Sequence, residues 1–148
     1  MNDNNGTNKS KTGRCLCGKV SFEATGVVAH HHACHCNMCR RWAGGPAFAA
    51  ATETVTWQGA EHIRRYGSSD WAERGFCGEC GTHLFFYFKP GDDYYLTVGS
   101  FDDDSDFQLV GEIYVDTQPP GYRFADGLER LTGDEFLAKY GLSVDDSD

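Results

Sequence analysis

The chain has 148 residues, most simply one domain, and its ten Phe, seven Tyr and three Trp are enough to fill a real core. A formal charge of −9 opposes nucleic acid as a partner, because an acidic surface repels a phosphate backbone. No apolar run approaches the roughly 18 residues that span a bilayer, and the opening MNDNNGTNKSKTGR lacks the apolar centre of a secretory signal, so no membrane partner and a cytoplasmic location are expected.

Residues 1–12 are almost devoid of apolar side chains and are expected to form a disordered tail. From Cys15 onward short runs rich in β-branched and aromatic residues are broken by Gly, Pro and Asp. KVSFEA (19–24) alternates apolar and polar, as a half-buried strand does. PAFAAAT (46–52), VTWQG (55–59), EHIRRY (61–66) and AERGFC (72–77) read as further strands, and HLFFYF (83–88) as a strand covered on both faces. KPGDD (89–93) reads as a turn, YYLTVGS (94–100) and EIYVD (112–116) as strands, and DTQPPGYRFADG (116–127) as an irregular connection. LTGDEFLAKYG (131–141) predicts a short helix: Thr132 as N-cap with Glu135 closes a capping box, Leu131 and Phe136 take the staple positions, and Gly141 ends it. The expected fold is mainly β, with one domain over 13–141 and an acidic tail over 142–148. The acidic runs DDDSD (102–106) and VDDSD read first as solvation; a salt-adapted source is a compositional alternative.

The seven cysteines are an odd number, and close spacing in a reducing compartment points to metal rather than disulfides. They form three groups: CLCG (Cys15, Cys17), CHCNMC (Cys34, Cys36, Cys39) and CGECG (Cys77, Cys80). Gly18 and Gly81 follow the first and last groups, where a metal knuckle turns tightly and needs positive φ. Together those two groups supply four thiolates, the closed tetrahedral set of a structural zinc. The middle group has three thiols, the number that leaves a catalytic zinc one open position. On a straight strand Cys34 and Cys36 would stand roughly 6.5–7 Å apart, against about 3.8 Å between sulfurs around zinc. The chain is therefore expected to bend there, with His35 pointing away from the metal. Iron is the alternative metal. A second structural zinc closed by His31 or His32 is the alternative to an open site.

Arg40 and Arg41 follow the middle group and are candidates to offset its negative charge and to grip a substrate carboxylate, with Arg64 and Arg65 as further basic candidates.

The stretches CLCGKVSFEA, CHCNMCRRWAGGPAF, RGFCGECGTHLFF and LTVGSFDD together resemble the glutathione-dependent formaldehyde-activating enzyme family and its centromere-protein-V-like relatives, over roughly residues 13–125. The resemblance implies an Mss4-like fold of curled antiparallel sheets around zinc sites. It implies structural zinc ligands at Cys15, Cys17, Cys77 and Cys80 and catalytic ones at Cys34, Cys36 and Cys39: two zincs per chain, the catalytic one labile. The implied activity is that of a carbon–sulfur lyase of the S-(hydroxymethyl)glutathione synthase type, adding a glutathione-like thiol to formaldehyde or a small aldehyde. One segment departs from the family: IYVDTQPPGYRF stands where a Lys-x-Pro-Trp variant is usual, with Tyr122 as the aromatic and the motif's basic residue missing. A zinc centre already carrying three thiolates is a weak water activator, which favours holding a thiol over hydrolysis. The competing expectation is a zinc-stapled scaffold that binds a protein partner without catalysis, told apart by the fourth ligand of the middle site.

Overall fold

In the computed structural model, which describes residues 8–144, a small sheet lies over a large one. The small sheet joins β1 (Asn8–Arg14), β2 (Ser21–Val28) and β5 (Thr54–Gln58), all antiparallel with β2 central. The large sheet contains β3 (His30–Cys34), β4 (Ala47–Thr52), β6 (Ile63–Tyr66), β7 (Ala72–Cys77), β8 (His83–Phe88), β9 (Asp93–Thr97), β10 (Gln108–Ile113) and β11 (Glu129–Leu131). Its order is β11-β10-β3-β4-β9-β8-β7-β6. Pairing is antiparallel except at β10, which runs parallel to both β3 and β11; the long path from β3 to β10 permits this.

The expected mainly β architecture and short C-terminal helix are both present. In β2 the alternation places Phe22 and Ala24 inward and Glu23 and Thr25 outward. Phe22 meets Trp57 and Phe101 edge-to-face at centroid distances of 5.4 and 5.3 Å. Val20, Val27, Leu84, Phe85 and Leu96 complete the buried layer between the sheets. No residue of β8 is exposed, as its unbroken apolar run requires.

Three strands are shorter or shifted relative to the sequence expectation. Ala60–His62 form a 3₁₀ turn ahead of β6, and Val98–Ser100 another after β9. The strand expected at 112–116 begins earlier, at Gln108, and stops at Ile113, because Tyr114 adopts a left-handed φ of 58°. The expected disordered tail is corrected over residues 8–12, which belong to β1: their backbone pairs with β2, and Lys9 and Lys11 reach Asp106 at 3.0 and 2.7 Å. Residues 1–7 lie outside the described part, as do 145–148 of the acidic tail.

Two helices complete the fold. α2 (Gly133–Tyr140) carries the predicted capping box: the Glu135 N–H donates to Thr132 Oγ1 at 3.1 Å, and the Thr132 N–H donates to Glu135 Oε1 at 2.8 Å. α1 (Asn37–Ala43) is absent from the sequence expectation. Cys36 is its N-cap, its sulfur accepting the Cys39 N–H at 3.3 Å, and Gly44 in left-handed conformation ends it.

Candidate metal centres

The first centre is assembled from two turns distant in sequence. Cys15 and Cys17 occupy the β1–β2 connection; Cys77 ends β7 and Cys80 lies in the β7–β8 turn. Gly18 and Gly81 share a φ of +81°; Gly18 donates its N–H to the Cys15 carbonyl three residues back at 3.1 Å, and Gly81 donates to the Cys77 carbonyl four residues back at 2.8 Å. Each knuckle thus closes on a left-handed glycine, the second turn being one residue longer. Backbone N–H groups of Val20 and Glu79 point at the sulfurs of Cys15 and Cys77, each at 3.4 Å. The four sulfurs lie within 4.8 Å of one another, with Cys15–Cys17 at 3.6 Å and Cys17–Cys77 at 3.9 Å. Tetrahedral Zn–S bonds of about 2.3 Å put sulfurs about 3.8 Å apart, so the donor set fits zinc. Hydrogen bonding by the Thr82 hydroxyl, 3.2 Å away, leads the effects that bring Cys80 down to about 5, which suits a thiolate ligand. A metal here would tie the small sheet to the large one.

The second centre gathers Cys34, Cys36 and Cys39 within 4.8 Å of one another. The bend expected from spacing is a change of element: Cys34 ends β3, Cys36 caps α1, and Cys39 sits in its first turn. No histidine joins this set among the described residues. His31 instead packs edge-on against Phe48 and Phe107 at 6.0 Å, its buried Nδ1 without a hydrogen-bond partner. Hydrogen bonds within the trio push Cys34 well above the ordinary thiol range and draw Cys39 well below it, and Arg74 lowers Cys39 further.

Arg74 is the residue that sequence reasoning missed. It is 4 % exposed on β7, with Nη1 and Nη2 at 3.7 and 3.8 Å from Cys39 Sγ, Nε donating to Ser68 Oγ at 3.2 Å, and its guanidinium 5.1 Å over the Phe86 ring. No carboxylate pairs with it among the described residues, so its charge faces sulfur. The sequence signals for it are its strand parity with Ala72 and Phe76 and its place at the head of the RGFCGECGTHLFF stretch.

His35 points away from the sulfurs, as expected, into a buried polar chain. Its Nε2 meets Glu112 Oε1 at 2.8 Å and its Nδ1 meets the Tyr122 hydroxyl at 2.7 Å. Arg130 donates to Glu112 Oε2 at 2.7 Å and to Gln118 Oε1 at 2.8 Å, and Gln118 Nε2 donates to the Tyr122 carbonyl at 3.0 Å. The ring closes around the residue between two candidate ligands and gives the divergent 113–124 segment a role: through Gln118 and Tyr122 it holds the cysteine loop from outside.

The trio opens on a cavity of about 370 Å³ whose walls include Met38, Trp42, Phe48, Trp71, Arg74 and His83. Arg40 and Arg41 do not line it. Arg40 donates through Nε to the His35 carbonyl at 2.9 Å and through Nη2 to Asn37 Oδ1, and both arginines line a separate pocket with Tyr122 and Pro119. The reason is helical: with Cys39 turned inward, the next two residues lie about 100° and 200° around α1. Arg64 and Arg65 also stand outside the cavity, and Arg65 is held by Glu73 and the Tyr94 hydroxyl.

A family model described as glutathione-dependent formaldehyde-activating enzyme matches residues 10–117. An uncharacterized lyase of Schizosaccharomyces pombe is 31% identical over 127 residues, covering 84% of this chain and 93% of its own. A Halomonas elongata protein named for glutathione-dependent formaldehyde activation is 34% identical over 88 residues, 51% of this chain and 54% of its own length. Among solved structures, a Rhodobacter sphaeroides protein superposes with a TM-score of 0.54 at 23% identity, covering 82% of this chain and 99% of that one, a likeness of fold. No helix among the described residues is long and apolar enough to cross a membrane.

Proposed function

Because this chain belongs to the glutathione-dependent formaldehyde-activating enzyme family, we propose that it is a zinc enzyme of the carbon–sulfur lyase type that joins a thiol to formaldehyde or another small aldehyde. Cys15, Cys17, Cys77 and Cys80 hold a structural zinc; Cys34, Cys36 and Cys39 hold a labile catalytic one. The observation that carries the reading is the trio itself: three converging sulfurs, no histidine in the set, and a cavity on the open side. A scaffold would call for a fourth protein ligand closing that side.

Zinc, when bound, supplies positive charge that keeps a thiol ionised near neutral pH. The chain's own residues do the rest. Arg74 brings a cation against Cys39, so the charge of three thiolates is offset within the cavity wall. Trp42, stacked with the His83 ring at 4.8 Å, and the neighbouring aromatic walls limit water around the reacting atoms. The thiol gives up its proton, its sulfur lone pair forms the C–S bond to the aldehyde carbon, and the carbonyl π pair moves to oxygen. Oxygen takes a proton, and thiol plus aldehyde give one hemithioacetal; the reverse path breaks the same bond.

The test is metal content followed by turnover. Purified chain should carry about two zincs, and formaldehyde with a thiol should yield the hemithioacetal faster than the uncatalysed mixture. Cys36→Ser should stay folded and lose thiol binding. A Cys36→Ser protein that binds and turns over thiol like the parent would refute the assignment.

A further inference from the structure

We infer that the thiol taken at the Cys34–Cys36–Cys39 cavity has an apolar body, aryl or alkyl, and that glutathione is the poorer ligand of this chain. The inference rests on the thiol-and-aldehyde reading above and narrows its substrate class.

The argument is one of charge. Among the described residues, Arg74 is the single lining residue with a permanent charge, and no Asp, Glu or Lys lines the cavity. Its guanidinium is already directed to Cys39 Sγ, Ser68 Oγ and the Phe86 face. Four histidines also line it, His30, His31, His32 and His83; burial pushes the His31 and His83 imidazoles down, away from the cationic form. Glutathione would bring two carboxylates and an ammonium group. Its ammonium finds no carboxylate on these walls, and its carboxylates find no uncommitted guanidinium. Taking such groups out of water without partners is heavily penalised. Arg40 and Arg41, whose planar forks suit carboxylates, line the other pocket.

An apolar thiol meets none of these penalties. Met38, Trp42, Phe48, Trp71, Phe86 and Phe88 present sulfur and aromatic surface to it. Phe48 is 36 % exposed on β4, so it can be shortened with little disturbance to the core.

The experiment titrates cobalt-loaded chain with benzyl mercaptan and, separately, with glutathione, following the change in the thiolate-to-cobalt charge-transfer band. Benzyl mercaptan should half-saturate the change at a concentration at least about tenfold lower than glutathione. Phe48→Ala should narrow that ratio by weakening benzyl mercaptan alone. Equal or tighter binding of glutathione overturns the substrate class and leaves the thiol reading standing. If neither thiol alters the cobalt spectrum, the thiol reading falls and this inference with it.

Discussion

Replacing Arg74 by methionine should weaken metal retention at the cysteine trio without weakening the fold. The substitution keeps an unbranched apolar stem and removes the cation. Its two N–H groups stand 3.7 and 3.8 Å from Cys39 Sγ. Two unit charges at that distance interact by about 4 kcal/mol at an effective dielectric near 20. Desolvation and geometry reduce this toward the net value of a charged hydrogen bond, about 2 kcal/mol. The zinc dissociation constant should therefore rise roughly 30-fold. The fold responds with the other sign. A guanidinium only 4 % exposed and without a carboxylate is costly to bury, so once the labile zinc is chelated the variant should unfold no earlier than the parent. Arg74→Lys keeps the charge, loses the fork and should fall between the two. The assay is competition for zinc with a chromophoric chelator, beside thermal unfolding of the chelated chains. A methionine variant that holds zinc within about threefold of the parent would refute the electrostatic reasoning.

Loss of Cys77, fully buried and shared between β7 and the four-sulfur set, should give insoluble or unfolded protein, since metal binding there is folding energy; a soluble Cys77→Ala with an unchanged melting temperature would contradict this. Mild chelation should remove about one zinc per chain with circular dichroism unchanged, whereas loss of both metals together with unfolding would end the distinction between the two centres. Glu112→Ala strips His35 and Arg130 of their shared carboxylate and should cost about 3 kcal/mol in denaturant unfolding; a cost under about 1 kcal/mol would show that the buried chain is not what fixes the cysteine loop. Thr132→Ala should cost about 1 kcal/mol by opening the capping box, and an unchanged midpoint would mean that α2 contributes nothing to the cooperative unit.

The ligand chemistry was legible in the chain because it is local. Cys15-x-Cys17-Gly18 and Cys77-x-x-Cys80-Gly81 each encode one turn, and a turn needs only its own few residues and one permissive glycine. The same holds for the capping box at Thr132 and for the alternation that made β2 a half-buried strand. α1 was hidden because seven residues offer no apolar period to read, and its N-cap is a cysteine whose side chain also faces the trio. Where Arg40 and Arg41 point depended on which face of that helix turned inward, and no spacing rule gives this before the helix is known. Arg74 lies 35 residues from Cys39, and Glu112 lies 77 from His35. Only the packing of β7 against α1, and the parallel pairing of β10 with β3, brings each charge to its partner. Buried charges are set by long-range register, and that register is a property of the whole sheet.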